Sequence, residues 1–585
     1  MNEGSLPLAH RSALSTPRLP FRVHTFLMAV VLCFVCFYGL NSVALIDLAD
    51  EGIYASVARQ MIDSGDWVTP RYGPTIFFYK PPLSYWCQAL FIYLLGPTPL
   101  AARLPSALAA FLTALSLYYW AKRKGLLHAG WLAATLYALC PLVAYGLARV
   151  AMMDSLLTFC FTLAIIGWIE GYGGNRRGYM LMAAGMALAT MTKGLIGFLL
   201  PGAAFVIWLL VRRDAEALRG VPWAAFVSIF LALVLPWHIA AWRAHGNWFL
   251  SEYIVRQHFA RFLGQDFGHQ SPFWYYLPVL LLSTFPWCAL MLVAWWRGVR
   301  AWRSEKSSLD CVMAMWALWA LVVFLFFSLS GSKLPNYILP ALPALALLVA
   351  WRLESVWQDK RGLSIFEVTG LSAPGLLLGT LLFIVGVSAY GWRSQPQTPT
   401  WLAKSLGRLL NWKEQSQTVA MLWQKLDVVT SLASYWTTLG ALLFCGSLVI
   451  LICWRNARRA VYASMALSLA LIILAAHIGL PAWSNATTAP LNELGQRTIP
   501  ALERGEPLLL YALHPKRPSL RYLLGHSPQV VETFSPEALQ SVLQNAGRGY
   551  VITAHDNTLP ILPGDLRREA LAGQWALWRY ERSDE

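Results

Sequence analysis

Basic residues recur after every second strongly apolar segment of this chain, and that alternation constrains its fold more than any other feature. About thirteen segments are apolar enough to cross a membrane, and lysine and arginine concentrate on the cytoplasmic side of such segments. The basic clusters lie in the N-terminal tail (Arg11, Arg18 and Arg22) and at 122–124, 176–177, 212–219, 297–306, 352–361 and 455–459. The other connections carry little more than Arg149, Lys193 and Lys333. The alternation predicts a cytoplasmic N-terminus and an outer C-terminus.

The apolar segments themselves predict an all-α polytopic membrane protein, in keeping with 57% hydrophobic and 13% charged residues. They lie at 26–45, 100–119, 127–145, 150–168, 180–211, 221–242, 273–296, 311–351, 366–390, 431–453 and 461–480. Two of them, 180–211 and 311–351, are overlong. The charge alternation survives only if each is a hairpin, turning near 193–194 and 331–335. The first segment has no A-x-A cleavage site after it, which predicts a retained span.

Net charge and cysteine usage exclude other classes of protein. The net charge of +16 lies mostly in the predicted cytoplasmic loops, so topology and anionic lipid headgroups explain it better than nucleic acid does. Of the nine cysteines, only Cys87 lies in an outer loop, and no disulfide framework is implied.

Three regions are predicted along the chain. They are a cytoplasmic tail (1–25), a transmembrane domain (26–480) and a small C-terminal α/β domain outside the membrane (481–585), where short apolar runs alternate with Pro, Gly and charged residues. Long outer segments at 46–99, 243–272 and 391–429 suggest function. Within the first, residues 47–65 have helical periodicity and predict an amphipathic helix lying flat at the outer interface.

Asp50 and Glu51 are the first candidate site residues, because they open this helix just beyond the first span. A carboxylate pair at a membrane boundary can orient or deprotonate a hydroxyl group, or attract a cationic sugar. Acidic residues in a first turn also complement the helix dipole, so the pair alone does not separate function from structure.

Lys80 is presented from a stiff turn, since Pro81 and Pro82 follow it. A lysine among aromatic residues suits a phosphate group, although a snorkelling anchor explains it equally well.

Asp154 and Lys193 lie at the outer ends of two predicted spans, and Lys333 lies in the turn of the second hairpin. An ionisable residue at a membrane edge usually has a partner. An Asp–Lys pair could simply lock two helices, or its lysine could also bind a phosphate. The turn at 330–337 suits an anion, although any tight turn favours such residues.

A metal site is only weakly indicated. His238, His245, His258 and His269 crowd the second outer segment together with Glu252 and Asp266. They lack a recognisable ligand spacing, so no divalent metal is firmly implied.

The separate signals converge on one boundary. The predicted topology does not depend on the charged candidates, yet it places all of them on the outer side. They are Asp50, Glu51, Lys80, Asp154, Lys193 and Lys333. A single site on the outer membrane surface is the economical hypothesis.

Several motifs resemble, in order and spacing, the ArnT-like branch of the protein O-mannosyltransferase superfamily, which are GT-C class membrane glycosyltransferases. These are Asp50-Glu51 with Tyr54, and the segments 65–70, 80–86, 192–194 and 332–340. The resemblance covers roughly residues 25–480. It implies about thirteen transmembrane helices, a C-terminal periplasmic domain and a bacterial inner-membrane location.

The resemblance also implies an activity. The type member moves 4-amino-4-deoxy-L-arabinose from undecaprenyl phosphate to lipid A on the periplasmic face. By this resemblance, Asp50 is the catalytic-position carboxylate, with Tyr54 in the same cavity. Lys80 and Lys193 would hold the polyprenyl phosphate, with Asp154 nearby and Tyr337 on the loop that closes the carrier site. The expected partners are the carrier lipid, lipid A or another envelope glycan, and membrane lipids. The protein is expected to be a monomer.

Two positions depart from the family pattern. Ile53 replaces the arginine of Asp-Glu-x-Arg-Tyr, and Tyr79 replaces a glutamate before the lysine. The sugar and the acceptor therefore stay open. A protein O-mannosyltransferase-like enzyme acting on protein hydroxyls is an alternative. A lipid-linked-sugar flippase is another, although a transporter should hold its ionisable residues near mid-membrane.

Overall fold

The structure of the chain is a computed structural model. It describes residues 21–47, 50–260, 271–305, 308–358, 363–393, 432–513, 517–554, 559 and 565–582. Helices dominate this part of the chain, joined by short 3₁₀ and π segments and one small antiparallel hairpin of strands β1 (Arg71–Tyr72) and β2 (Thr75–Ile76).

The helices of the apolar region follow the predicted segments. The first nine are α1 (Phe21–Phe37), α2 (Glu51–Ser64), α3 (Leu83–Leu95), α4 (Pro99–Arg123), α5 (Leu127–Leu139), α6 (Asp154–Tyr172), α7 (Arg177–Lys193), α8 (Ile196–Arg212) and α9 (Trp223–Phe249). The next seven are α10 (Tyr276–Ser283), α11 (Cys288–Arg300), α12 (Leu309–Leu329), α13 (Leu342–Gln358), α14 (Ile365–Arg393), α15 (Ala433–Ile452) and α16 (Ala457–Leu474).

The lengths of these helices fit a multi-pass membrane protein. Eight helical stretches of the described chain are long and apolar enough to cross a membrane, and a sharply bent pair would make a ninth. Shorter apolar helices, among them α1, α5 and α8, accompany them. The count of thirteen crossings stays a prediction, because it also needs α7 and these shorter helices to cross.

Both hairpins predicted from charge are present. Helices α7 and α8 are separated only by Gly194 and Leu195, and Gly194 has φ 83°, a conformation that glycine adopts without strain. Helix α12 ends at Leu329, and the chain returns through the 3₁₀ segment Pro335–Ala341 into α13.

Two predicted segments differ from the structure. The span expected at 273–296 is broken between Ser283 and Cys288, and the two arms bend by 117°. Pro286 lies in the gap, where it lacks an N–H donor and obstructs a continuous helix. The outer segment expected at 243–272 is helical in its first part, which consists of the end of α9 and the π segment Leu250–Ala260. Residues 261–270 lie outside the described part. Most of the segment 391–429 also lies outside it.

The C-terminal region forms the predicted α/β domain. After α17 (Leu480–Thr487) it contains α18 (Ala489–Glu503), β3 (Leu508–Tyr511), α19 (Pro518–Leu524), β4 (Val530–Thr533), α20 (Pro536–Ala546), β5 (Arg548–Ala554), β6 (Asp565–Ala572) and β7 (Trp575–Glu581). The sheet order is β4-β3-β5-β7-β6, with β3 parallel to both neighbours and the last two pairings antiparallel. All four residues of β3 are buried, as expected for a central strand.

This domain docks on α2 through α19, so α2 is more enclosed than an interfacial helix. Glycine at position 52 permits the close approach of the two helices, because a Cβ atom there would lie only 2.7 Å from the backbone nitrogen of Ser519. The Ser519 N–H donates to Asp47 Oδ1 at 2.8 Å, and Arg59 donates to the Leu523 carbonyl at 2.8 Å. Helix α2 ends before Gly65, whose φ of 70° makes it a left-handed cap.

Candidate active site

A buried ion pair joins the ends of two helices. Lys193 is the last residue of α7 and Asp154 the first of α6, and Lys193 Nζ donates to Asp154 Oδ1 at 2.6 Å. Their side chains are only 8% and 2% exposed. The Asn336 amide donates to the other oxygen, Asp154 Oδ2, at 3.0 Å. Because an unpaired charge at this depth would be costly, each partner holds the other in place.

The loop after α12 covers this pair. The Lys193 ammonium lies 4.4 Å from the centre of the Tyr337 ring, a cation–π distance. Lys333, also buried, donates to the carbonyl of Ser330 in the same loop. Burial lowers the pKa of Lys333. An anion placed beside it would offset that desolvation cost.

The turn after Lys193 is shaped by a histidine. The N–H of Leu195 donates to His258 Nε2 at 3.1 Å, and His258 Nδ1 lies 2.6 Å from the Tyr253 carbonyl, so the ring carries its proton on Nδ1. A Cβ on Gly194 would lie 1.9 Å from His258 Nε2. Sequence reasoning weighed His258 only as a metal ligand and missed this contact.

Asp50 and Tyr54 form the second part of the site. Asp50 occupies the N-cap position of α2 without a side-chain capping hydrogen bond, and one turn later the Tyr54 hydroxyl donates to Asp50 Oδ2 at 3.0 Å. Asp50 is half-buried, whereas Tyr54 is buried. The contact fixes one carboxylate oxygen and leaves Asp50 able to face a ligand with the other.

Glu51 occupies a different environment from its neighbour. It is fully buried, and Arg103 donates to it twice, from Nε to Oε1 at 2.8 Å and from Nη2 to Oε2 at 3.0 Å. The backbone N–H groups of Ile46 and Ala151 also donate to it, at 2.7 and 2.8 Å. Glu51 therefore ties α2 to α4 and to the loop that leads to Asp154.

Arg103 is a residue that sequence reasoning missed. Besides Glu51 it donates to the carbonyls of Leu40, Val43 and Ala44 at 2.8–2.9 Å, which holds the chain between α1 and α2. Its position inside the apolar segment 100–119 was the available signal, since a charge there needs a partner.

Lys80 is buried at the start of α3. Its ammonium group donates to the Tyr79 carbonyl at 3.0 Å, and the Tyr79 ring lies 4.2 Å from that of Phe77. A cation thus lies in a turn next to two aromatic rings, and its role toward a phosphate stays a prediction.

An apolar cluster connects the two parts. Tyr54, which contacts Asp50, and Met153, which precedes Asp154, belong to one buried cluster that also contains Tyr85 and Ala151. The cluster therefore includes Tyr54, which contacts Asp50, and the residue that directly precedes Asp154 in the chain.

The histidines predicted as weak metal candidates have other partners. His245 Nε2 lies 2.9 Å from the Thr69 hydroxyl, and His238 Nδ1 lies 2.8 Å from the Val234 carbonyl. His269 lies outside the described residues. Within the described residues, no group of three or more His, Cys, Asp or Glu side chains could hold a metal ion.

The known sequences that this chain resembles are named as sugar transferases. A family model described as dolichyl-phosphate-mannose-protein mannosyltransferase matches residues 79–240. The undecaprenyl phosphate-alpha-4-amino-4-deoxy-L-arabinose arabinosyl transferase of Aeromonas hydrophila is 33% identical over 314 residues, which are 52% of this chain and 55% of that protein. The protein of the same name from Pseudomonas aeruginosa is 32% identical over 350 residues, 59% of this chain and 61% of its own. The matched region thus spans little more than half of these relatives.

Comparison with solved structures extends over nearly the whole chain. The structure of ArnT from Cupriavidus metallidurans bound to undecaprenyl phosphate matches with a TM-score of 0.72 at 22% identity, covering 95% of this chain and 97% of that one. An oligosaccharyltransferase from Archaeoglobus fulgidus matches with a TM-score of 0.50 at 10% identity, covering 91% and 69%. The predicted GT-C fold and the resemblance to ArnT are confirmed.

Proposed function

We propose that this protein is a glycosyltransferase that moves a sugar from undecaprenyl phosphate to an acceptor of the bacterial envelope. The sugar is 4-amino-4-deoxy-L-arabinose or a similar one, and the acceptor is lipid A or a related glycan. The names of the relatives and the carrier lipid bound to the ArnT structure support this reading. Two features of the site support it independently.

The buried cation at the end of α7 is the observation that carries the proposal. Lys193 is held by Asp154 and Tyr337 in an apolar wall, next to the loop that contains Lys333. An ammonium group has three N–H donors, and the bond to Asp154 occupies one. The ammonium can therefore bind the phosphate of a lipid carrier while Asp154 keeps it in place. A cation at the end of a helix, rather than at mid-span, favours a surface enzyme over a flippase.

The proposed transfer develops negative charge on the leaving phosphate, and the site must stabilise that charge. The bond between the anomeric carbon and the phosphate oxygen breaks, and the leaving polyprenyl phosphate takes the electron pair. A new bond forms between the anomeric carbon and an acceptor oxygen. Lys193, Lys80 and Lys333 would stabilise the negative charge that develops on the phosphate. A single in-line displacement inverts the anomeric configuration.

Asp50 and Glu51 take different roles in this proposal. Asp50 is the carboxylate that contacts the substrates, orienting an ionised phosphate acceptor or accepting the proton of a hydroxyl acceptor. The Tyr54 hydroxyl donates to one oxygen of Asp50 and so orients the carboxylate. Glu51 has both oxygens engaged by protein groups, so it acts as a positioning residue that sets α2 against the loop before Asp154.

The location proposed for this site is the periplasmic side of the inner membrane. Sugars linked to a lipid phosphate can be used outside the cytoplasm, where nucleotide sugars are absent. The alternation of basic residues puts the ends of α6 and α7 that carry the ion pair on that side.

A deletion strain tests the proposal directly. Mass spectrometry of lipid A should show the loss of an aminopentose or similar substituent, and complementation with the wild-type gene should restore it. The match to mannosyltransferases makes protein hydroxyls the second candidate acceptor. Loss of sugar from periplasmic glycoproteins with unchanged lipid A would favour that candidate, and no change in either would contradict both.

A further inference from the structure

Several buried hydroxyl groups around the site make no hydrogen bond within the described residues, and that of Tyr85 lies nearest to Asp50 and Tyr54. The side chain of Tyr85, in the first turns of α3, is fully buried. Its hydroxyl oxygen makes no hydrogen bond within the described residues. A buried phenol that lacks a partner is costly, typically about 1–3 kcal/mol, and a bound ligand is one way in which that cost is recovered.

Tyr85 lies beside the part of the site that contains Asp50 and Tyr54. Its ring centre lies 5.8 Å from that of Tyr54, whose hydroxyl donates to Asp50. Burial, and to a smaller extent the charge of Asp50, raises the pKa of the Tyr85 hydroxyl well above its ordinary value. Tyr85 also shares its apolar cluster with Met153, the residue before Asp154.

A second buried polar atom lies on the same face of α3. Gln88 follows Tyr85 by three residues, which places both side chains on one side of the helix. The Gln88 amide donates to the Ala151 carbonyl at 3.0 Å, and its own carbonyl oxygen makes no hydrogen bond within the described chain. The face therefore offers one O–H donor and one C=O acceptor.

We propose that Tyr85 binds the sugar of the glycosylated carrier, donating a hydrogen bond from its hydroxyl to a sugar oxygen, with the Gln88 carbonyl as an acceptor for a sugar O–H or N–H. This inference rests on the proposed function. A neutral donor–acceptor pair matches the hydroxyl and amino groups of a sugar, whereas the lysines of the site match the phosphate. Tyr85 would then allow the protein to distinguish the carrier lipid that bears a sugar from the carrier lipid without one.

Binding of two lipids to purified full-length protein in nanodiscs tests this. The probes are undecaprenyl phosphate and undecaprenyl phosphate carrying 4-amino-4-deoxy-L-arabinose. Tyr85→Phe removes only the hydroxyl oxygen. Affinity for the sugar-bearing lipid should fall about tenfold, the size expected for one lost hydrogen bond in a dry site, while affinity for the bare lipid should stay within about twofold. Thermal stability should not fall, because no protein hydrogen bond is lost.

Tyr93→Phe is the matched control, since Tyr93 lies on the same helix with 75% of its surface exposed. It should bind both lipids like the wild type. If Tyr85→Phe also binds both lipids like the wild type, Tyr85 does not contact the sugar and the inference is wrong. If it weakens both equally, its role is structural and the inference is again wrong. If the wild type binds neither lipid, the proposed function itself fails, and the inference fails with it.

Discussion

Variants of Lys193 and Asp154 can distinguish two roles for this ion pair, namely a structural link between α6 and α7 and a binding site for the carrier phosphate. Lys193→Met leaves the Asp154 carboxylate, whose side chain is 2% exposed, without its cation. Among the described residues, only the Asn336 side-chain amide then still donates to it. Breaking a buried pair in this way costs about 3–5 kcal/mol of folding stability. Loss of activity in this single variant is therefore ambiguous, because the site would be distorted as well as uncharged.

The double variant Lys193→Met with Asp154→Asn removes that ambiguity. It removes both charges, and the carbonyl oxygen of the substituted amide can still accept the hydrogen bond from Asn336. Most of the lost stability should return, as measured by thermal unfolding in detergent. Transfer should not return, because the phosphate has lost a charge-assisted contact of about 1.5–3 kcal/mol, equivalent to roughly 10- to 150-fold in single-turnover rate.

The result that refutes this reasoning is specific. If the double variant recovers both its stability and its single-turnover rate, the pair only locks α6 to α7, and Lys193 does not touch the carrier phosphate. The affinity for undecaprenyl phosphate, measured on the same preparations, should follow the rate and not the melting temperature.

Three further outcomes are expected. Asp50→Asn should abolish transfer while binding of undecaprenyl phosphate persists, because volume is kept and only charge and basicity are lost; wild-type turnover in the purified variant would overturn its role. Lys80→Met should slow single-turnover transfer at least about tenfold and weaken carrier binding; if it behaves like the wild type, Lys80 is an interfacial anchor. A cysteine at the exposed position Asn485 should react with an impermeant reagent from the periplasm and one at the exposed position Arg300 should not, in a background without native cysteines; the opposite pattern would invert the predicted topology.

The helical hairpins were predictable because the distribution of basic residues between the two sides of a membrane depends on topology and not on side-chain contacts. The positive-inside bias needs no knowledge of side-chain contacts, so it located the turns at Gly194 and after Leu329 from sequence alone. The end of α2 at Gly65 was predictable for a local reason, since helical periodicity stops at a residue suited to a left-handed cap.

The role of Glu51 could not be read in the same way. Its partners Arg103 and Ala151 come from distant parts of the sequence, and only the folded chain brings them together. The contact between Gly52 and Ser519 could not be predicted for the same reason. It encloses α2, a helix whose own periodicity predicts one face open to the membrane surface. Local patterns report what one helix could bury, whereas tertiary partners decide what it does bury.

Under the proposed function, Ile53 bears on which sugar the site accepts. In the family pattern this position holds an arginine, and here its side chain packs on the apolar cluster that contains Tyr54 and Tyr85. An arginine would bind phosphate through a planar, two-pronged contact, whereas lysines act as point charges that tolerate several phosphate orientations. The carrier phosphate would then be held less rigidly, and the orientation of the sugar would depend more on contacts at the sugar itself. Under this proposal, the discrimination between sugars shifts from the phosphate end of the site toward the face of α3 that carries Tyr85 and Gln88.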